Sequence, residues 1–142
     1  MSAQSPAPGT AFDTGRLDRY LKNRLPDLAG RLRIERIGGG QSNPTFFLIY
    51  DNIQLVLRKR PEGELLPSAH AVDREFRVQR AVAPHGVPVP RMRFYEEDRS
   101  IVGTSFYVMD RVEGRIYHDN RLAELQRQER RTVYREMARL LA

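Results

Sequence analysis

The chain has 142 residues, 40% hydrophobic and 30% charged, which suits one soluble globular piece and argues against disorder. Cysteine is absent, so disulfides, zinc–thiolate sites and thiol catalysis are excluded. A net charge of +6 favours an anionic partner: a nucleotide, nucleic acid or phosphorylated substrate.

The N-terminus, MSAQSPAPGTAFDTG, has neither a basic n-region nor an apolar h-region, so it reads as a flexible tail over 1–15 and not as a signal peptide. No apolar run approaches the ~18 residues a membrane span needs. A cytoplasmic protein with no membrane partner is the expectation. Residues 16–25 carry Leu17, Tyr20, Leu21 and Leu25 near helical spacing, with Asp13 or Thr14 as cap and Pro26 as stop. RLRIERI, 31–37, alternates charged and aliphatic residues as a half-buried strand does. TFFLIY and IQLVLRKR are two further strands, joined at Asp51-Asn52 into a hairpin over 45–60. A helix is expected from Ser68, as N-cap, to about Ala83, ended by Pro84-His85-Gly86. VPVPRMRFYEE and GTSFYVMDRV supply two more strands, and 121–142 reads as a helix. This order predicts an α+β fold: a five-stranded antiparallel sheet with the middle helix on one face.

Three features stand out. The first is GGGQSNPTF, 38–46, between two strands. Glycines let the backbone approach an anion with its N–H groups, and Ser42 and Asn43 offer further donors. A loose turn is the plainer reading. It is no Walker loop, because no Gly-Lys-Ser/Thr and no helix follow. The second is Arg58. Alternation puts Ile53, Leu55 and Leu57 on one face of the strand and Gln54, Val56 and Arg58 on the other. A strand-end arginine reaching solvent is the default. The third is Glu75, which falls inside the stripe Ala71, Val78, Val82 and there needs a partner. Alternatively the helix is rotated, burying Val72 and Phe76 and leaving Glu75 at the edge. A buried Arg58–Glu75 pair would cost roughly 3–5 kcal/mol to break.

Together, GGGQSNPTF, VLRKRP, LLPSAHAVDREFRVQRAV, VPVPR and GTSFYVMDRVEG resemble the small lobe of the aminoglycoside phosphotransferase-like kinases. The branch they resemble is the kinase-like domain attached to acyl-CoA dehydrogenases. The resemblance implies a protein-kinase-like N-terminal lobe over 16–113, then a hinge linker and the first helix of a C-terminal lobe over 114–142. It implies ATP as cofactor, with Mg2+ expected only in a full-length protein. In that frame Gly39, Gly40, Gln41, Ser42 and Asn43 cover the phosphates. Arg58 is the nucleotide-binding cation, Glu75 its partner, and Met109 the gatekeeper. Asp110 C=O and Val112 N–H meet the adenine edge, Val56 lies against its ring, and Gly114 ends the hinge. Lys59 points to the opposite face.

The catalytic-loop motif H-x-D-x-x-x-x-N is absent, and His118-Asp119-Asn120 has the wrong spacing and reads as linker. The expectation is therefore a truncated lobe, inactive alone. Its small hydroxylated acceptor would be held only by the missing lobe. The alternative is a non-enzymatic basic module binding nucleic acid or a protein. Nucleic acid is disfavoured because no basic and aromatic positions cluster on the strands. The last residues, REMARLLA, stop on a helix face without glycine, proline or loop. Self-association through the 121–142 helix is a third expectation.

Overall fold

Asp13 caps the first helix: its carboxylate accepts from Arg16 N at 3.1 Å and opens α1, Thr14–Arg24. The computed structural model describes residues 12–38, 43–63, 66, 71–117 and 119–142. β1 is Arg33–Arg36, β2 Thr45–Ile49 and β3 Gln54–Lys59. α2 is Val72–Val82, β4 Met92–Glu96, β5 Phe106–Asp110 and α3 Arg127–Leu141. The chain divides into two units, one ending at Arg111 and one beginning at Val112.

In the first unit the strands run antiparallel in the order β1-β2-β3-β5-β4. This is the expected five-stranded α+β arrangement. Alternation along the strands sends side chains to two faces. Phe46, Leu48, Leu55, Leu57, Phe94, Phe106 and Val108 form one core with Leu17 and Leu21 of α1. Tyr107 turns the other way and packs with Val72 and Phe76 of α2. The sheet is thus covered on both faces, with α1 opposite α2. Phe12, assigned to the tail by sequence, is buried and meets Phe46 edge-on at 5.3 Å. A deep aromatic contact decides its place; the polar residues around it gave no hint of one.

The Asp51-Asn52 turn does more than reverse the chain. Asp51 N donates to Ala29 O at 3.0 Å, Asn52 Nδ2 to Asp27 O at 2.7 Å, and Asn52 Oδ1 accepts from Ala29 N at 3.0 Å. The hairpin thereby holds the segment between α1 and β1. Gly30 sits there at φ +85, where an added Cβ would stand 2.2 Å from Asp51 Oδ2.

Two helix starts differ from expectation. α2 begins at Val72 with Ala71 as its N-cap residue, and Ser68 lies outside the described residues. In the second unit α3 begins at Arg127, not at 121. Asp119 Oδ1 accepts from Arg121 N at 2.9 Å and Leu122 takes φ 52, so 119–125 turns before the helix. That backbone N–H, first, and the Arg121 side chain hold the Asp119 carboxyl below its ordinary range. Gln126 and Glu129 close a reciprocal capping box.

Three tyrosine hydroxyls donate to carboxylates across the first unit: Tyr20 to Glu96, Tyr50 to Asp18 at 2.7 Å and Tyr107 to Glu75 at 3.0 Å. Burial first, then the carboxylate, raises all three; Tyr107 is pushed up to about 12, and Tyr20 and Tyr50 further. Above pH ~10 the unfolded chain releases phenolic protons that the folded chain keeps, so folding stability falls as pH rises. The contribution is complete below that pH. Urea midpoints from pH 8 to 11 should decline, and Tyr50→Phe should flatten the decline. A decline at least as steep in Tyr50→Phe as in the parent contradicts this account.

Candidate functional site

The site grows from the pairing of β3 with its neighbours. Arg58 stands opposite Thr45 on β2 and Tyr107 on β5. It leaves the sheet on the α2 side, where Glu75 waits. Arg58 Nη2 donates to Glu75 Oε1 at 3.2 Å, and Nε lies 2.7 Å from Oε2. The Nε hydrogen is not aligned with that oxygen, so the second contact is ionic while the first is a hydrogen bond.

The helix phase is the rotated one. Val72 and Phe76 are buried, Val78 is 54% exposed, and Glu75 sits at the edge. Arg58 and Glu75 side chains are 28% and 34% exposed, so the pair is not deeply buried. Breaking it should cost about 1–3 kcal/mol, between the surface and interior cases, and not the full interior penalty.

Lys59, the neighbouring cation, faces the α1 core and is 4% exposed. Its amine donates to Val102 O at 2.7 Å and to Glu62 at 3.3 Å, and lies 5.3 Å above the Phe12 ring. The two adjacent cations therefore serve opposite faces of one strand.

Gly39, Gly40, Gln41 and Ser42 lie outside the described residues. The base of their loop is described: Ile37 N donates to Thr45 O at 2.9 Å, and Lys59 N to Pro44 O at 3.0 Å. β1 and β2 thus stay paired up to the glycine stretch. Asn43 was expected to offer its amide to an anion. It is buried, and its Nδ2 donates to Glu75 Oε1 at 3.0 Å. Its side chain belongs to the ion-pair cluster.

Farther along the sheet, Val56 faces the Arg58 side, pairs with Phe47 and Met109, and is 6% exposed. Met109 packs beside Tyr107 and the α2 core. Asp110 ends β5; its N–H donates to Arg91 O at 2.9 Å and its carboxylate meets Arg93 Nε at 2.5 Å. Arg93 occupies the irregularity between Met92 and Phe94, which turns its side chain toward Asp110. Val112 belongs to the second unit and is largely exposed.

Sequence reading missed Tyr107 and Gln79. Tyr107 OH donates to Glu75 Oε2, and Gln79 Nε2 donates to Glu75 O at 3.3 Å. The signal for Tyr107 was present: alternation puts it with Met109, against Phe106 and Val108. Gln79 follows Glu75 by one helical turn, which is the spacing of neighbours on a helix face.

The arrangement suits an anion held by a guanidinium that a carboxylate fixes in place, beside the base of the 38–46 segment. Comparison with known proteins agrees with the fold. The phosphotransferase enzyme family profile matches residues 33–142. Acyl-CoA dehydrogenase family member 11 of Gallus gallus is 46% identical over 138 residues, covering 89% of this chain and 18% of the relative. Acyl-CoA dehydrogenase family member 10 of Mus musculus is 45% identical over 126 residues, covering 88% of this chain and 12% of the relative. The chain thus spans less than a fifth of the length of these curated relatives. The crystal structure of a "putative aminoglycoside phosphotransferase" from Ralstonia eutropha aligns with a TM-score of 0.74 at 37% identity, over 91% of this chain and 36% of that one. With a five-stranded kinase-like lobe and a family profile covering most of its length, the chain belongs to the phosphotransferase enzyme family.

Proposed function

We propose that these residues are the nucleotide-binding lobe of an ATP-dependent small-molecule kinase. The observation that carries the reading is the Arg58–Glu75 pair, joining β3 to α2 on the face next to the base of the glycine stretch. ATP would bring the transferable phosphoryl group. The chain's own part is to bind and orient it. Arg58 supplies fixed positive charge for the phosphates, the backbone of 38–43 supplies N–H donors, and Asp110 and Val112 supply an acceptor and a donor for the adenine edge.

The transfer step needs a catalytic aspartate and metal-binding groups. The motif that would supply the aspartate is not within these 142 residues. On this reading the 142 residues bind nucleotide weakly, at about millimolar, and do not transfer phosphate by themselves. The relatives described as acyl-CoA dehydrogenase family members support a hydroxylated acyl thioester as the acceptor class.

Titrating ATP with Mg2+ while following backbone amide resonances tests this. Shifts should concentrate in 38–43 and 110–112. A chain that shows no such shifts at tens of millimolar nucleotide, yet binds DNA or RNA with a steep salt dependence, would be a basic binding module instead.

A further inference from the structure

Glu75 collects donors from three separate segments. Its Oε1 accepts from Asn43 Nδ2 at 3.0 Å and Arg58 Nη2 at 3.2 Å; its Oε2 accepts from Tyr107 OH at 3.0 Å and lies 2.7 Å from Arg58 Nε. A carboxylate has about four acceptor sites, so three hydrogen bonds and one ionic contact leave this one firmly placed. Its work is placement. Asn43 is the residue that matters most, because it stands three residues after Gly40, just before β2, and is itself buried. It is also tied to its own strand, its carbonyl accepting from Thr45 Oγ1 at 3.0 Å.

We propose that Asn43 and Tyr107 are positioning residues that couple the loop base at 43–45 to α2 through the Glu75 carboxylate. Tyr107 anchors the carboxylate from the sheet, so Glu75 keeps its place when Arg58 shares its charge with a phosphate. Asn43 then carries any displacement of the loop base into α2. The link exists without ligand; its use in phosphate sensing rests on the nucleotide reading above. The two therefore succeed or fail separately.

The first arm of the test uses the 142-residue chain without ligand. Hydrogen exchange at the amides of 75–79 should quicken about tenfold in Asn43→Ala, the effect of removing a donor from a charged acceptor, while β4 stays as slow as before. Asn43→Ala combined with Tyr107→Phe should depart from additivity. Asn43→Asp sets a second carboxylate against Glu75 and should loosen α2 further. Adding Glu75→Gln restores a donor facing an acceptor and a partner for Arg58, and should recover protection. Unchanged exchange in α2 on Asn43→Ala, or no recovery in the paired variant, overturns the coupling whatever nucleotide does.

The second arm adds ATP and Mg2+. Wild-type amides at 75–79 should shift along the same saturation curve as the loop base, and in Asn43→Ala the response should stop at the loop base and β3. A full-size α2 response in Asn43→Ala refutes the coupling. Absence of any wild-type response refutes the nucleotide reading, and the first arm still decides the coupling.

Discussion

Phe106→Ala is expected to remove about 3–5 kcal/mol from the stability of the first unit. The ring is fully buried, edge-on to Tyr20 at 6.0 Å and to Phe94 at 6.3 Å. It lies where β5 meets α1, among Leu17, Leu21, Leu57 and Val108. Truncation leaves a void bordered by several aromatic and leucine side chains that cannot all close in, so transfer and cavity costs add. Domains of this size have about 5–15 kcal/mol in total, so the variant loses about a fifth or more. Urea melts followed by near-ultraviolet circular dichroism would read it as a lower midpoint at unchanged slope. A loss under about 1 kcal/mol would mean that α1 does not close this core. The half-exposed Met137 of α3 is the control, with an expected change within about 0.5 kcal/mol on substitution by alanine.

Arg58 and Lys59 are adjacent cations, and their removal is expected to cost similar stability but to separate in the response to nucleotide. Lys59→Met keeps the apolar stem but deletes the amine that satisfies Val102 O inside the α1 core. Leaving that carbonyl unpaired costs about 1–3 kcal/mol. Nucleotide response should survive. Arg58→Met leaves Glu75 with Asn43 and Tyr107 as donors, so about 1–3 kcal/mol is lost, while the phosphate-facing charge disappears entirely. Any ATP response at 38–43 should vanish with it. The paired measurement is a urea melt and an ATP titration on each variant. If Lys59→Met lost the nucleotide response and Arg58→Met kept it, the roles given to the two cations would be reversed.

The distinction between these two residues was legible because strand alternation is strict. Once Leu55 and Leu57 face a core, Lys59 must follow them and Arg58 must not. Strand identities and the hairpin at Asp51-Asn52 were legible for the same reason: period-two patterns and turn residues act locally. Helix phase was less so. Glu75 fits two stripes, and only packing against Tyr107 and Tyr95 selects the one that buries Val72 and Phe76. The start of α3 was misread because Leu122 and Leu125 extend an apolar pattern into a turn, and because glutamine is a weak advertisement for a cap. Asn43 was read as an anion donor because it follows the glycine run at 38–40 by three residues. Its actual acceptor lies 32 residues away, beyond the reach of any local pattern.

With a helix over each face, the sheet's remaining open backbone lies along its two outer strands, β1 and β4. β1 is four residues long and mostly charged, with Arg33, Glu35 and Arg36 exposed. β4 is broken in register by the irregularity at Arg93. Short, charged or kinked borders make poor templates for a foreign strand. Lateral growth into larger sheets, the usual route from a small α+β unit to fibrils, is thereby discouraged at both margins.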